Sequence, residues 1–245
     1  MDPHRRQNPS GECTLQRLHP LPEDTRERLI WAGLALFSHY NYEGATTRMI
    51  AEKAGVNLAA IPYHFGGKEG LYRATILSVV EQVKAQISPM IHDLRQKFET
   101  GRPSKETCIM NLAQFLADFI SKIISLNIPR SWLRLGFSED NAPVQAFDLI
   151  YEGIIYPIHE LTGDIVAYIL NLPAQSEETI LRTHAIIGQV IAFHLSREAV
   201  LRRLGQSELT ATQIQLIRNI IQEHVAAILV TGNRVTESQL EGGRS

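Results

Sequence analysis

The 245-residue sequence predicts an all-α protein, with short helices near the N-terminus and long helices after them. Apolar residues recur at helical spacing along most of the chain, whereas no useful stretch shows the apolar–polar alternation of a half-buried strand. Helix-capping and helix-breaking residues divide this pattern into separate segments, and there is no internal repeat. An N-terminal three-helix unit followed by a larger helical domain is expected.

Short polar residues mark several expected helix starts, because their side chains accept hydrogen bonds from free backbone N–H groups. These residues are Asp24, Thr46, Asn57 and Thr210. A glutamate or glutamine three residues after Asp24 and after Thr210 completes the spacing of a capping box. We expect the first three helices at about 24–40, 46–54 and 57–64, with Gly55 in the tight turn between the last two.

Longer helices are expected after residue 68, at roughly 68–99, 104–126, 144–171, 176–204 and 210–230, with a short one near 130–138. Pro89 is expected to kink or break the first of these helices. We divide the chain into a disordered arm (1–22), a first domain (23–73), a second helical domain (74–230) and a flexible polar tail (231–245).

Composition and charge limit the class of protein. The net charge is −2, so any nucleic-acid surface must be local. Cys13 and Cys108 are too few and too far apart for a disulfide framework or a metal cluster, which favours the reducing cytoplasm. The N-terminus has no apolar segment typical of a secretion signal, and no apolar run is long enough to predict a membrane span.

The stretch TTRMIAEKAGVNLAAIPYHFGGKEGLY, at 46–72, has the proportions of a helix-turn-helix. Small and branched apolar residues supply the seam between its two helices: Ile50, Ala51, Ala54, Val56 and Ile61. Through TTR, IAEKAGV, YHF and KEGLY, this stretch and the helix before it resemble the DNA-binding domain of the tetracycline-repressor (TetR) family, over about 24–75. The stretches WLRLGFSED and FDLIYEGIIYPIHELTGDI, together with HAIIGQVIAFHLSREAVLRRLG, resemble the C-terminal domain of its CecR-type subgroup.

The resemblance implies that eight residues contact DNA: Thr47, Arg48, Leu58, Ala59, Ala60, Tyr63, His64 and Lys68. Thr47 would meet a phosphate at a helix start, and Arg48 would reach a base edge. The residues that open the recognition helix would face thymine methyl groups. Tyr63 and His64 would contact the DNA backbone, and Lys68 would neutralise a phosphate.

Pro62 departs from the family pattern, in which tyrosine is often found at this place. A proline well inside a helix lacks the N–H group that would bond back to Leu58. We therefore expect a distorted or 3₁₀-like recognition helix, with base readout resting on Arg48, methyl contacts and DNA shape.

Charge within residues 23–73 sums to zero, because six basic residues oppose six acidic ones. One copy of this domain would therefore bind DNA weakly by electrostatics alone, and two linked copies on a palindrome would bind better. Arg5, Arg6 and Arg17 of the arm would add phosphate or minor-groove contacts; the alternative is that the arm is a solvated tail.

The segment 176–204 carries small residues at three- and four-residue spacing: Ala185, Gly188, Ala192, Ser196 and Ala199. The segment 210–230 carries an apolar stripe: Ile214, Ile217, Ile221, Val225 and Ile228. The resemblance implies that these two helices form a four-helix homodimer interface with their symmetry mates. The alternative is that they are buried inside one subunit.

The resemblance also implies an effector pocket in the C-terminal domain, where Gly153 and Pro157 interrupt one long helix. The candidate ligand-binding residues are Trp132, Arg134, Phe137, Tyr156, His159, His184 and Phe193. A mainly apolar cavity with a few polar anchors suits a small drug-like molecule. For any single one of these residues, ordinary core packing is the alternative.

Enzyme motifs are incomplete, so no catalytic residue, metal site or cofactor is predicted. HELTG at 159–163 has a glycine where the second histidine of a zinc protease would stand, and GGK at 66–68 lacks the rest of a phosphate-binding loop.

The predicted function is a ligand-responsive repressor in the cytoplasm, associated with the nucleoid. It would bind a palindromic operator as a homodimer and control efflux or antibiotic-sensitivity genes. The alternative is a helical scaffold that binds only proteins.

Overall fold

The computed structural model describes residues 22–101, 103–125 and 145–242, and this part of the chain is helical without strands. The all-α fold is therefore confirmed. The helices are α1 (Thr25–Gly44), α2 (Thr47–Ala54), α3 (Ala60–Phe65), α4 (Lys68–Glu99), α5 (Lys105–Ser125), α6 (Gln145–Ile150), α7 (Tyr156–Leu170), α8 (Glu177–Leu195), α9 (Arg197–Leu204) and α10 (Ala211–Gly242), with a π-helix at Tyr151–Ile155. The helix expected near 130–138 and residues 1–21 of the arm lie outside the described residues.

Two compact units are present. Among the described residues, the first unit holds 22–82 and 145–151, and the second holds 83–101, 103–125 and 152–242. Helix α4 contributes residues to both units, and Gln82 is the last residue of its part in the first unit.

The core of the first unit is formed where α1 packs on α2, α3 and the beginning of α4. Four of the seam residues predicted between α2 and α3 are buried there, and the fifth, Val56, is partly buried. The buried four include Ile50 and Ile61. Gly33 permits a close approach of α1 to α4, because a Cβ on Gly33 would lie 2.9 Å from the Thr75 hydroxyl. The Phe37 ring meets the Tyr72 ring edge-on, with 4.9 Å between their centroids.

The helix caps follow the sequence closely. Asp24 accepts a hydrogen bond from the backbone N–H of Glu27, and Thr46 accepts one from Met49. Thr210 and Gln213 exchange two hydrogen bonds of 2.9 and 3.3 Å, which completes a reciprocal capping box. Each cap satisfies N–H groups that the first helical turn leaves free.

Helix α1 contains a break at the position where the sequence predicted its end. Asn41 leaves the helical conformation, with φ 60° and ψ −179°, one residue after Tyr40. A last short turn follows up to Gly44. The end near Tyr40 is therefore confirmed as a break in the helix.

Helix α4 runs from Lys68 to Glu99 through Pro89. Of the kink or break expected at this proline, the break is therefore wrong. Proline removes one helical hydrogen bond, the one to the carbonyl group four residues earlier. Ala85 and Pro89 are both exposed, so water can hydrate the carbonyl group that loses its partner.

The C-terminal helix is longer than expected, and the segment expected as one helix at 176–204 is divided. Helix α10 continues to Gly242, and its contacts extend past residue 230: Lys105 donates a 2.8 Å hydrogen bond to Asn233. Ser196, at φ −99° and ψ 18°, separates α8 from α9. The apolar periodicity of the sequence indicates neither the tertiary contacts of α10 nor the turn at Ser196.

Helix α5 lies in the core of the second unit, with Leu112, Leu116 and Ile120 buried. Its contacts with α10 are the most extensive between any two helices in the described part of the chain. Residues 105–124 are long and apolar enough to cross a membrane, but 56% of that stretch is buried inside the protein. A core helix of a soluble protein has the same properties.

The expected interruption near Gly153 and Pro157 is confirmed. The residues between α6 and α7 form a π-helix, and Pro157 follows as the second residue of α7. Pro157 has no N–H group for an α-helical hydrogen bond to Gly153, so the wider π-helical turn accommodates it.

Candidate nucleic-acid interface

The turn between α2 and α3 is fixed by backbone hydrogen bonds around Gly55. Gly55 adopts the left-handed conformation at φ 64°, and its N–H group bonds to the carbonyl of Glu52. The N–H group of Val56 bonds to Ala51 at 3.0 Å, and Arg28 donates to the carbonyl of Gly55 at 3.3 Å. This arrangement ends α2 and sets the direction in which α3 begins.

The start of α3 confirms the 3₁₀-like geometry expected for the recognition helix. The Asn57 side chain accepts a 2.8 Å hydrogen bond from Ala59. The N–H groups of Ala60 and Ile61 bond to carbonyls three residues earlier, those of Asn57 and Leu58. The Leu58 carbonyl, which would accept from residue 62 in an α-helix, is therefore already bonded to Ile61.

The sequence suggested that Pro62 lies well inside a helix, and this expectation is wrong. Helix α3 begins only at Ala60, so Pro62 is its third residue. An N–H group in the first turn has no partner within its own helix, so proline costs little there.

All eight residues predicted to contact DNA lie at the surface, fully or in part. The Tyr63 side chain is 84% exposed, and Leu58, Ala59 and Arg48 are also exposed. Thr47, Ala60, His64 and Lys68 are partly buried. Ile61 is buried on the inner side of α3 and anchors this helix to the unit. The opposite, exposed side of α3 is therefore free for another molecule.

Lys68 is held by two neighbours that the sequence did not suggest. Its Nζ lies 4.5 Å from the centroid of the Tyr42 ring and donates a 3.3 Å hydrogen bond to the carbonyl of Glu43. The Tyr42 ring packs edge-on against Tyr72 at 4.9 Å. Burial, followed by the charges of Glu69 and Glu43, raises the pKa of Tyr42. Burial and Tyr42 raise the pKa of Tyr72 to about 12, so both phenols are neutral at physiological pH.

Gly70 lets the start of α4 approach the end of α3. A Cβ on Gly70 would overlap the carbonyl oxygen of Phe65. Phe65 also lies beneath the Arg26 guanidinium, 5.5 Å from ring centroid to Cζ. These contacts join the recognition helix to α1 and to α4.

A cleft of 740 Å³ in the first unit was not predicted from the sequence. It lies between α1 and α4, and Ile30, Trp31, Leu34 and Leu77 form part of its apolar lining. No sequence motif marks it, because it arises from the packing of two helices that are distant in sequence.

The predicted effector residues are only partly described. Trp132, Arg134 and Phe137 lie outside the described residues. Tyr156 is exposed and donates a 3.2 Å hydrogen bond to Glu160, and Phe193 is partly buried. These positions of Tyr156 and Phe193 do not by themselves define a pocket.

Two of the predicted effector residues lie side by side across α7 and α8. The rings of His159 and His184 are 5.6 Å apart between centroids. Burial, followed by the charge of His184, lowers the pKa of His159. The sequence named both histidines as candidates but gave no indication that they form a pair.

The exposure of residues on α8 and α10 bears on whether these helices form a dimer interface or are buried inside one subunit. Ile217, Ile221 and Val225 of α10 are buried inside the subunit, as the alternative expected. Ile228 is 44% exposed. On α8 an exposed face carries Leu181, Ala185 and Ala192 together with the partly exposed Gly188, where a Cβ would meet no atom within 4 Å.

Comparisons with known proteins agree with this architecture. Residues 29–75 match the family model for bacterial regulatory proteins of the tetR family. Residues 109–231 match the model for the C-terminal domain of the HTH-type transcriptional dual regulator CecR. The chain is 30% identical over 210 residues to the HTH-type transcriptional dual regulator CecR of Shigella flexneri, over 84% of this chain and 92% of that protein. A shorter match, 38% identical over 53 residues, is to the HTH-type transcriptional repressor AcnR of Corynebacterium glutamicum, over 22% of this chain and 28% of that protein.

Solved structures show the same fold at low sequence identity. One is the transcriptional regulator FadR of Bacillus subtilis in complex with stearoyl-CoA, with a TM-score of 0.51 and 17% identity over 81% of this chain and 96% of that one. Another is a transcriptional regulator of Aquifex aeolicus, with a TM-score of 0.51 and 14% identity over 84% of this chain and 99% of that one.

A helix-turn-helix unit followed by a helical C-terminal domain defines a DNA-binding transcription regulator. More specifically, the chain belongs to the TetR family of transcriptional regulators and, within it, to the CecR type. Members of this family are soluble cytoplasmic proteins, usually dimeric on DNA and often responsive to small molecules, and they are not enzymes.

Proposed function

We propose that this protein is a homodimeric repressor that binds a palindromic operator and leaves it when a small-molecule effector binds. The observation that carries the proposal is the exposed side of α3. Ile61 anchors this helix from its buried side, and Tyr63 is exposed on it. Leu58 before the helix and Arg48 on α2 are exposed as well. The major groove admits one helix of this kind, with the preceding helix crossing the phosphate backbone.

Specific readout is assigned to Arg48 and to the start of α3. The forked guanidinium of Arg48 can donate two hydrogen bonds to one guanine edge. Leu58, Ala59 and Ala60 offer only apolar contacts, which suit thymine methyl groups. Because Pro62 places no polar side chain on this surface, DNA shape supplies part of the specificity.

The remaining predicted residues are assigned to the DNA backbone. Thr47 lies at the start of α2, where free N–H groups and the helix dipole favour a phosphate. Tyr63 and His64 are neighbours whose rings meet edge-on at 4.9 Å, and both are available at the surface. The Lys68 ammonium is preorganised by Tyr42 and Glu43.

Dimerisation is assigned to the exposed face of α8 together with exposed residues of α10. Leu181, Ala185, Gly188 and Ala192 allow a second copy of α8 to approach closely, and Ile228 adds apolar area from α10. Two such helices from each copy make a four-helix interface. A two-fold dimer then presents its recognition helices to half-sites about 34–36 Å apart, or a multiple of that distance.

Effector release requires two states with different spacing between the recognition helices. Helix α4 connects the units directly, since its residues belong to both. We assign the effector to the C-terminal domain near Tyr156, His159, His184 and Phe193, with Trp132, Arg134 and Phe137 as further candidates. The π-helix beside Tyr156 supports this location, because such segments often occur at functional sites. Efflux or antibiotic-sensitivity genes are the proposed targets.

A gel-shift titration with the intergenic DNA beside the protein's own gene tests the proposal. A specific complex that survives excess random DNA is expected, with two chains bound per site. Arg203→Ala, an exposed substitution on α9, serves as a control that keeps wild-type binding. A folded protein that binds this DNA no better than random DNA would instead support the helical scaffold. Footprinting then locates the operator.

A further inference from the structure

We propose that His159 and His184 together bind a late first-row divalent cation such as Zn²⁺, Ni²⁺ or Co²⁺. The two imidazoles come from different helices, α7 and α8, and their ring centroids are 5.6 Å apart. Neutral imidazole is the commonest metal ligand in proteins and suits this group of metals. The site requires neither DNA nor an organic effector, so its test is independent of the proposed repressor function.

The separation of the rings matches that of two imidazoles on one metal. With metal–nitrogen distances of about 2.0–2.1 Å, each ring centroid lies about 3.2 Å from the metal. Tetrahedral coordination then places the two centroids roughly 5.2 Å apart. The observed centroid distance of 5.6 Å is close to this value.

His184 is exposed on α8, whereas His159 on α7 is partly buried, so the pair can be reached from the solvent. Water molecules can therefore complete the coordination of a metal that the two rings hold.

The environment of His159 favours the neutral imidazole that binds metal. Partial burial and the neighbouring His184 lower the pKa of His159, so its imidazole is neutral at physiological pH. The nearest carboxylate along α7, Glu160, is bound to Arg95 at 2.9 Å and to Tyr156. It is therefore engaged elsewhere.

The site differs from a closed structural metal centre. The described residues contain no group of three or more histidine, cysteine, aspartate or glutamate side chains arranged to hold a metal. His159 and His184 supply two ligands, and the remaining positions stay open for water or for a donor atom of another molecule. Reversible binding is therefore expected, with the metal removed by chelators.

The test uses the full-length protein without an affinity tag, first stripped with EDTA. Zn²⁺ is titrated by calorimetry, and Co²⁺ is followed by its visible absorption bands. One metal per chain is expected, with at least a tenfold loss of affinity in His159→Gln and in His184→Gln. His92→Gln and His224→Gln, which change exposed histidines on α4 and α10, are matched controls that retain wild-type affinity.

Circular dichroism checks that each variant is folded before its affinity is compared. Wild-type affinity in both His159→Gln and His184→Gln would overturn the proposal, as would the absence of binding by the wild type at micromolar metal. Equal losses in the control variants would show dispersed surface binding and would also overturn it. A fall in affinity as the pH drops through the histidine range is expected, because protons compete for the same nitrogen atoms.

Discussion

The ammonium group of Lys68 lies 4.5 Å from the ring centroid of Tyr42, and this interaction fixes a cation at the start of α4. Lys68→Ala is expected to weaken binding to all DNA sequences about equally and to lower the salt slope by about 0.9 for each phosphate that is no longer neutralised. Tyr42→Phe keeps the ring and should bind as the wild type does. Gel shifts at several salt concentrations measure both effects. An unchanged salt slope in Lys68→Ala would show that this residue does not neutralise a phosphate.

Arg48→Ala is expected to reduce operator binding by roughly 1–3 kcal/mol and to relax the preference at one base pair. The reason is the loss of a two-pronged hydrogen bond to a single base, which no neighbouring side chain replaces. Competition between the operator and single-base variants of it measures the effect. Arg203→Ala should leave both affinity and preference unchanged. Equal losses on operator and random DNA would show that Arg48 contacts only the backbone.

Gly70→Ala is expected to destabilise the first unit by about 1–3 kcal/mol, because the added methyl group overlaps a backbone oxygen that cannot easily move. Specific DNA binding should fall with it, since Phe65 ends the recognition helix. Gly163→Ala is the matched control, because its methyl group meets only ordinary contacts and replaces a helical glycine, a gain of about 0.5–1 kcal/mol. Thermal melting compares the two variants. Equal melting temperatures for Gly70→Ala and Gly163→Ala would show that the start of α4 can move away from Phe65 at the end of α3 at little cost.

Gly188→Glu is expected to dissociate the dimer while leaving the folded subunit intact. The new side chain finds open space within one subunit but places a charge in the proposed interface. Light scattering measures the mass, and circular dichroism measures the helical content. Ala85→Glu, on an exposed position of α4, should remain dimeric. A dimeric Gly188→Glu would move the interface away from this face of α8.

Acidification is expected to destabilise the protein through His159. Its pKa is lowered in the folded state, so the unfolded chain binds more protons once the pH falls below the ordinary value of 6.5. The loss of stability therefore begins near that value and is complete below the folded-state pKa. Melting temperatures between about pH 7.5 and 5.5 in metal-free buffer should fall less in His159→Gln than in the wild type. Parallel curves would contradict this account.

The features that the sequence predicted well are those fixed by neighbours along the chain. Thr46 and Gly55 bound α2 through contacts within a few residues, so residue type alone locates them. The continuation of α4 through Pro89 depends instead on hydration at the surface. The length of α10 depends on contacts such as Lys105 with Asn233, across most of the chain length.

The candidate site shows the same division. The exposed residues of the helix-turn-helix follow from a local motif, and the 3₁₀-like start of α3 consists of hydrogen bonds between residues three apart. The pairing of His159 with His184 and the support of Lys68 by Tyr42 join separate segments. Periodicity along one helix carries no information about such pairings.

The π-helix at Tyr151–Ile155 has a consequence for reading this protein alongside its relatives. A π-helical turn contains about one residue more than an α-helical turn, so it accommodates a single-residue insertion without ending the helix. A relative with an unbroken α-helix here would be one residue shorter, and its alignment would need a gap within these five positions. Without that gap, every position of α7 would be compared with its neighbour, about 100° away around the helix.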